Sequence, residues 1–155
     1  LDRRTTVRSS TFIENSATGK GGGQYRGKVE NSTFVGNVAG RGGATFGLES
    51  LRFSTVIDNH ARTAVGGVAG GGISASIVAG NTAGGEPWDI AGGASRSLIG
   101  TNAHSSLAAS GSTPGPGGNL VGDNTNLPAS IGDSFTSSVR LVFPEYTNSE
   151  GTAAS

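Results

Sequence analysis

The stretch Val29-Glu-Asn-Ser-Thr-Phe-Val-Gly-Asn37-Val-Ala39 decides the fold, because its pattern recurs at the same interval on both sides. The earlier copy begins at Val7, and the later copies begin at Leu51 and Ile73, with no gap between copies. Five columns of matched residues result: Val7/Val29/Leu51/Ile73, Ser10/Ser32/Ser54/Ser76, Phe12/Phe34/Val56/Val78, Asn15/Asn37/Asn59/Asn81 and Ala17/Ala39/Ala61/Ala83.

The repeating unit predicts strands. It is too short and too rich in Gly and Asn for a pair of helices, and its apolar segments are rich in β-branched and aromatic residues. Stacking equivalent strands ~4.8 Å apart pairs each coil with the next and aligns equivalent side chains. We therefore predict an all-β fold, a single-stranded parallel β-helix (β-solenoid) of about six coils with a 22-residue repeat.

The repeat continues less regularly towards the C-terminus. Ser97-Leu-Ile-Gly-Thr-Asn102 matches the strand and Asn columns one position short of the regular period, and Asn119-Leu-Val-Gly-Asp-Asn124 follows it by one full period. We predict a β-helix repeat region over residues 1–125 and an irregular C-terminal segment over 126–155. In that segment, Val139-Arg-Leu-Val-Phe143 is a candidate final or donor strand.

Each column has an expected role. The core ladder points inward, and the Ala column lies where only a methyl group fits. The structural ladder of Asn residues occupies a bend, where Asn tolerates left-handed dihedrals and bonds to the equivalent Asn one coil away. The pairs Gly22-Gly23, Gly42-Gly43 and Gly71-Gly72 precede the next strand, where a sharp bend needs positive φ. The core ladder is Phe12, Phe34, Val56 and Val78, and the structural ladder is Asn15, Asn37, Asn59, Asn81, Asn102 and Asn124.

Alternation along a strand places the neighbours of the core ladder on the outer surface. A flat array of Thr and β-branched side chains there suits packing against another surface and, as a weaker alternative, the ordering of water as in ice-binding solenoids. This candidate outward interface ladder consists of Thr11, Thr33, Thr55, Ile13, Val35 and Ile57.

Composition excludes several classes. Eleven basic and eleven acidic residues cancel, and no basic stripe interleaved with aromatics is present, so we expect no nucleic-acid binding. The chain has no Cys, which excludes disulfides and thiolate metal sites. No apolar run approaches the ~18 residues of a membrane helix, so we expect no membrane span.

Candidate chemical sites are weak. Gly22-Gly-Gln-Tyr-Arg-Gly-Lys28 resembles a phosphate loop, but Val29 stands where Ser or Thr should follow. Glu14 and Asp58 fall two coils apart, about 10 Å, which is loose for a retaining glycosidase pair and only marginal for an inverting one. His60 and His104 have no ligand-spaced partner. We expect no catalytic site and no cofactor; calcium at Asp123, Asn124, Asn126 and Asp133 is a weaker alternative to their role as turn formers.

The boxes Phe12-Ile-Glu-Asn15 and Phe34-Val-Gly-Asn37, with Gly-Gly-Gly23 and Gly-Gly-Ala44, resemble the FxxN and GGA[ILV] repeats of polymorphic outer-membrane proteins and related right-handed β-helix surface proteins. Ser76-Ile-Val-Ala-Gly-Asn81, followed by Gly118-Asn-Leu-Val-Gly-Asp123, is similar to the end of the β-helix in choice-of-anchor secreted proteins. The resemblance implies a right-handed coil and an extracellular or cell-surface adhesive or structural role.

The leading functional prediction is an extracellular structural or adhesive solenoid. Open strand edges at its ends, or strand donation by the C-terminal segment, would allow head-to-tail assembly into a filament or surface layer. Its expected partners are further copies of itself, a surface or a glycan. The alternatives are a carbohydrate-binding or carbohydrate-cleaving β-helix and, third, an ice-binding surface.

Overall fold

A computed structural model describes residues 5–110 and 113–122 and confirms an all-β solenoid of stacked parallel strands. A single 3₁₀ turn, Pro116–Gly118, lies among these residues. The strands are β1 (Thr6–Arg8), β2 (Thr11–Ile13), β3 (Gln24–Glu30), β4 (Thr33–Val35), β5 (Val38–Arg41), β6 (Thr45–Arg52), β7 (Thr55–Ile57), β8 (His60–Ala64), β9 (Val68–Ala69), β10 (Gly72–Ser74), β11 (Ile77–Ala79), β12 (Thr82–Ala83), β13 (Glu86–Pro87), β14 (Ile90–Ala91), β15 (Ala94–Ser95), β16 (Leu98–Ile99) and β17 (Leu120–Val121).

Three sheets run along the solenoid. Sheet A has the order β1-β3-β6-β10-β15, with β9 and β14 continuing from β6; sheet B has the order β2-β4-β7-β11-β16-β17; sheet C has the order β5-β8-β12-β13. The pairs are parallel except β12 with β13, which is antiparallel. The six strands of sheet B are separated by five turns of the chain, close to the predicted number of coils.

The core ladder lies in the centre of sheet B. Phe12 pairs with Phe34, which pairs with Val56. The Phe12 and Phe34 rings are stacked, with centroids 4.6 Å apart and planes 4° apart. Phe34, Val56 and Val78 are fully buried, whereas Phe12 in the first coil is only partly buried. The column continues through Ile99 and Val121, both buried.

The corners of the coil are formed by residues with left-handed backbone. The corner between sheets B and C lies one residue before the Asn column, so the predicted position of Asn at the bend was wrong. The residues that take the left-handed conformation there are Glu14 (φ 52°), Gly36 (φ 63°), Asp58 (φ 53°) and Gly80 (φ 69°). The Asn side chains point inward, and Asn37, Asn59 and Asn81 are at most 1% exposed.

The predicted glycine pairs serve two different purposes. Positive φ is found at Gly42 and Gly71, as predicted for a sharp bend. Gly22 does not have positive φ; it is required because a Cβ there would overlap the carbonyl oxygen of Gly43 in the next coil. Some of the glycines that we predicted to form bends are therefore required by the close approach of neighbouring coils.

Candidate functional site

The Asn ladder is a directional chain of hydrogen bonds. Asn15 donates from its backbone N and its Nδ2 to Oδ1 of Asn37, at 3.0 and 2.9 Å. Asn37 donates in the same way to Asn59, and Asn59 to Asn81, at 2.8–3.0 Å. Each Oδ1 thus accepts from the coil before it, while each Nδ2 donates to the coil after it. Because the buried Asn side chains already have hydrogen-bond partners in neighbouring coils, this ladder is structural rather than a binding site.

A second ladder, of serine residues, runs parallel to the first. The backbone N of Ser10 donates to Oγ of Ser32 at 3.2 Å, and the pattern repeats in the following coils. The Ser column was visible in the sequence, but its role was not predicted. The members are Ser10, Ser32, Ser54, Ser76 and Ser97, and the ladder ends on Oδ1 of Asn119.

The Asn ladder ends on a carboxylate. Oδ1 of Asp89 accepts from the backbone N and Nδ2 of Asn81, at 2.9 and 2.8 Å. Asn102, predicted as the next member, does not take this position; its backbone N donates to the carbonyl of Gly122. The antiparallel hairpin of β12 and β13 brings Asp89 into the interior shortly after Asn81, outside the repeat period. Asn124 lies outside the described residues, as do the calcium candidates at 123–133 and the segment 126–155 with its predicted strand.

The outward interface ladder forms the outer face of sheet B, in the predicted register. Thr11 pairs with Thr33 and Thr33 with Thr55, and the neighbouring column pairs Ile13 with Val35. Ile13 is 57% exposed. Six strands and two columns of side chains cover only about 200–300 Å². A stable protein–protein interface buries about 800 Å² per partner, so this face alone is too small for one.

A shallow, open groove lies on the outer side of sheet A. It has a volume of about 360 Å³ and includes Tyr25 and Phe46, which are paired in neighbouring coils. Their rings are stacked, with centroids 6.2 Å apart and planes 27° apart. Tyr25 is 36% exposed. The two rings give the groove an accessible apolar floor.

Three cations surround these rings. Lys20 Nζ lies 4.7 Å from the Phe46 ring centroid, and the guanidinium carbon of Arg41 lies 5.8 Å from it. The guanidinium carbon of Arg26 lies 4.9 Å from the Tyr25 centroid. These contacts hold the cations over the rings. We define this set, Lys20, Tyr25, Arg26, Arg41 and Phe46, as the aromatic–cation groove.

The groove has a positive local charge, and Arg26 in its wall has a left-handed backbone. Glu49 is the acidic residue in its lining, and it is paired with Lys28 at 3.6 Å. Arg26 has φ of 63°, opposite Gly47 in the next coil, beside a register shift between Gly27 and Lys28. The same conformation occurs at other non-glycine residues of the solenoid, such as Glu14 and Phe53, so it belongs to the coil geometry and does not mark the groove.

Sequence reasoning missed the groove because the spacing between its paired residues departs locally from the regular period. Tyr25 pairs with Phe46 and Lys20 with Arg41, and both pairs fall one position short of the period that joins Val29 to Leu51. A search at the regular period therefore places the members of each pair in different columns. A search that allowed a spacing one residue shorter would have matched Tyr25 with Phe46 and Lys20 with Arg41, and so could have found the groove.

The other candidate residues do not form a reactive cluster. Glu14 and Asp58 are exposed corner residues with Gly36 between them. His60 Nδ1 lies 2.8 Å from Oγ1 of Thr82, and the His104 ring stacks on Trp88 at 4.1 Å. Within residues 5–110 and 113–122, no three His, Asp or Glu side chains are grouped as metal ligands.

The glycine-rich segment before Lys28 is not a phosphate loop. Gln24–Glu30 is strand β3, and the chain continues from it into sheet B rather than into a helix. The segment is therefore a strand of the solenoid wall.

The geometry defines the class of protein as a parallel β-solenoid with an aromatic–cation groove. Comparison of the chain with protein-family models, with curated proteins and with solved structures finds no match. In the described part of the chain, no helix has the length and apolar character needed to cross a membrane.

Proposed function

We propose that this protein is an extracellular structural and adhesive β-solenoid that attaches to an acidic polysaccharide through the aromatic–cation groove. The groove is the observation that carries the proposal. It combines an apolar floor of two stacked rings with three cations on the outer surface of a rigid scaffold. Adhesion requires such an exposed contact, whereas the buried Asn and Ser side chains of the repeat are committed to the ladders.

The chemistry of the groove favours an anionic sugar over a neutral one. Lys20, Arg26 and Arg41 offer ammonium and guanidinium donors to carboxylate or sulfate groups. The ring of Tyr25 offers an apolar face and edge to the C–H surface of a sugar. An extended chain of sugars could follow the groove across the neighbouring coils that contribute Tyr25 and Phe46.

The test is binding of the full chain to sodium polygalacturonate, measured by isothermal titration calorimetry, with dextran as the neutral comparison. We expect binding to polygalacturonate that weakens with added salt, since exposed charges are screened. Tyr25→Ala and Arg26→Asn should each weaken binding about tenfold, equivalent to about 1.4 kcal/mol. Asn is chosen at position 26 because it tolerates the left-handed backbone there.

Phe53→Ala is the matched control, because Phe53 is 66% exposed and does not line the groove. This variant should bind polygalacturonate as the parent does. Equal affinity for dextran, no binding to polygalacturonate, or an equal loss on replacing Phe53 would each contradict the proposal.

A further inference from the structure

The two ends of the aromatic–cation groove differ in charge. The chain runs from sheet C through sheet A to sheet B, and Arg41 is the last residue of β5 in sheet C. Its guanidinium lies over the Phe46 ring, as does the ammonium of Lys20. Glu49, which also lines the groove, follows Phe46 in β6 by about 10 Å of strand in the direction of sheet B. A ligand lying along β6 therefore meets two cations at one end and a carboxylate at the other.

An irregularity in strand β6 brings Glu49 to the groove. In a regular strand, successive side chains point to opposite faces, so Glu49 would lie on the face opposite to Phe46. However, Gly47 has φ of 72°, and Leu48 after it is buried in the core. The alternation is displaced by one residue, and 44% of the Glu49 side chain is exposed. Irregular strand positions redirect side chains in this way, and here an acidic side chain is placed beside the rings.

The protein holds the Glu49 carboxylate only weakly. Its Oε2 lies 3.6 Å from Nζ of Lys28, and both side chains are nearly half exposed. Exposed pairs of this kind contribute little free energy. In the next coil, residues 70–72 are all glycine, and Gly71 lies against the backbone of Leu48 and Glu49. Among residues 5–110 and 113–122, Lys28 is the one ion-pair partner of Glu49. The carboxylate is therefore available to accept hydrogen bonds from a ligand.

We infer that Glu49 determines the specificity of the groove by accepting hydrogen bonds from sugar hydroxyl groups. The inference rests on the proposed attachment to an acidic polysaccharide and specifies which class of acidic polysaccharide binds. A uronic acid has a carboxylate on one side of its ring and free hydroxyl groups on the other, which matches the two ends of the groove. An O-sulfated sugar has anionic acceptors in place of those hydroxyl groups, and Glu49 repels them. The groove therefore selects uronate polymers over sulfated ones.

The sign of the effect distinguishes this role of Glu49 from simple electrostatics. If Glu49 acted through its charge alone, removal of that charge would strengthen the binding of every polyanion. If Glu49 accepts hydrogen bonds from the sugar, removal of its charge weakens the binding of a uronate polymer, because charge-assisted hydrogen bonds outweigh the repulsion between screened, exposed charges. A sulfated polymer offers no such donors, so its binding becomes stronger.

The test is isothermal titration calorimetry of the full chain with sodium polygalacturonate and with dextran sulfate at one ionic strength. Glu49→Gln should bind polygalacturonate about fivefold more weakly and dextran sulfate about threefold more tightly than the parent. Glu49→Asp keeps the charge but shortens the side chain, so it should weaken polygalacturonate binding and leave dextran sulfate binding unchanged. Glu86→Gln is the matched control, because it removes the same charge from an exposed hairpin outside the groove. Both of its affinities should change by less than about twofold.

A modified polymer gives a second measurement. Acetylation of O2 and O3 of polygalacturonate removes the hydroxyl donors and leaves the carboxylates in place. The parent should bind the acetylated polymer about fivefold more weakly than the native one. Glu49→Gln should bind the acetylated polymer no more weakly than the parent does, since the hydrogen bonds to Glu49 are already lost.

Equal or tighter binding of polygalacturonate by Glu49→Gln would overturn the inference, as would equal affinity of the parent for the native and acetylated polymers. Neither result would contradict the attachment proposal if Tyr25→Ala still weakens binding. Absence of polygalacturonate binding by the parent would overturn both, so the two failures are distinguishable.

Discussion

Asp89 shows at the residue scale why a ladder of identical amides must end in a different group. Oδ1 of Asp89 faces two N–H donors of Asn81, and Oδ2 faces the backbone N of Thr101 at 2.9 Å. A carboxylate accepts on both oxygens, whereas an Asn would turn an NH₂ group towards one set of donors. Burial raises the pKa of Asp89 from 3.8 to about 6, even though hydrogen bonds from Asn81, Thr101 and Gly100 act in the opposite direction.

This raised pKa predicts a stability that falls as pH rises. Between about pH 4 and pH 6 the folded state binds more protons at Asp89 than the unfolded state, so the free energy of unfolding decreases through this window. The expected decrease is at most about 3 kcal/mol. Urea unfolding at pH 4 and pH 7 measures it, with Asp89→Asn as the variant that should show a smaller change.

Subtracting the pH dependence of the Asp89→Asn variant from that of the parent protein cancels the contributions of the other titrating groups. Glu30, whose pKa is lowered by its hydrogen bond to Arg8, favours stability at higher pH in both proteins and cancels in the difference. The same pH dependence in the Asp89→Asn variant would show that Asp89 does not titrate in this window. A lower stability of the variant at all pH values is expected, since Thr101 loses its acceptor.

The Asn column and its bonding from coil to coil were predictable from the sequence because the period is regular, but the residue that takes the left-handed conformation was not. Asn favours both bends and buried ladders, and only the backbone of Glu14 and its equivalents decides between them. Asp89 was not predictable because a hairpin brings it into the column well before one period has passed from Asn81. Periodicity thus finds residues that repeat and misses the residue that ends the repeat.

At the scale of the element, the corner between sheets B and C limits which residues can follow strands β2, β4, β7 and β11. The corner residue alternates between acidic residues and Gly, as Glu14, Gly36, Asp58 and Gly80, and all have positive φ. A Cβ on Gly36 would have Cγ of Glu14 as its nearest neighbour, at 3.4 Å, which is ordinary contact. The backbone conformation, rather than space, therefore determines what is allowed at this corner.

Two substitutions of Gly36 distinguish the effect of backbone conformation on stability from the effect of side-chain volume. Gly36→Val should lower the free energy of unfolding by about 1–3 kcal/mol, because a β-branched residue is strained in the left-handed region. Gly36→Asn has a similar volume and should cost less than about 1 kcal/mol, because Asn adopts this region more readily. Urea unfolding compares them, and equal destabilisation by the two variants would contradict the conformational explanation.

The strands of sheet B were predictable because their apolar columns keep a constant period. Sheet A was harder to interpret, since the pairs before the register shift at Gly27 and Lys28 are spaced one residue short of the regular period, which moves their side chains out of column. The aromatic–cation groove lies in this irregular part. In a repeat protein, the regular element specifies the scaffold, and the local departure produces the surface with distinct chemistry.

At the scale of the whole molecule, each coil is held by its immediate neighbours. The ladder bonds join residues 21–25 positions apart, and the sheets contain pairs between successive coils. Stability in such an array is approximately a sum of coil terms and nearest-neighbour terms. The number of coils is therefore not fixed by a closed core, and a coil in the correct register can be added internally.

Inserting a second copy of residues 29–50 between Ser50 and Leu51 tests this property. Val29 already pairs with Leu51, so the copy keeps every ladder in register. We expect a folded, longer solenoid with a higher midpoint in urea and an m value larger by about one fifth, because one coil is added to about five. The same insertion lacking the copied Thr33 would turn the following Phe to the outer face. It should lower stability, and equal stability of the two insertions would contradict the nearest-neighbour account.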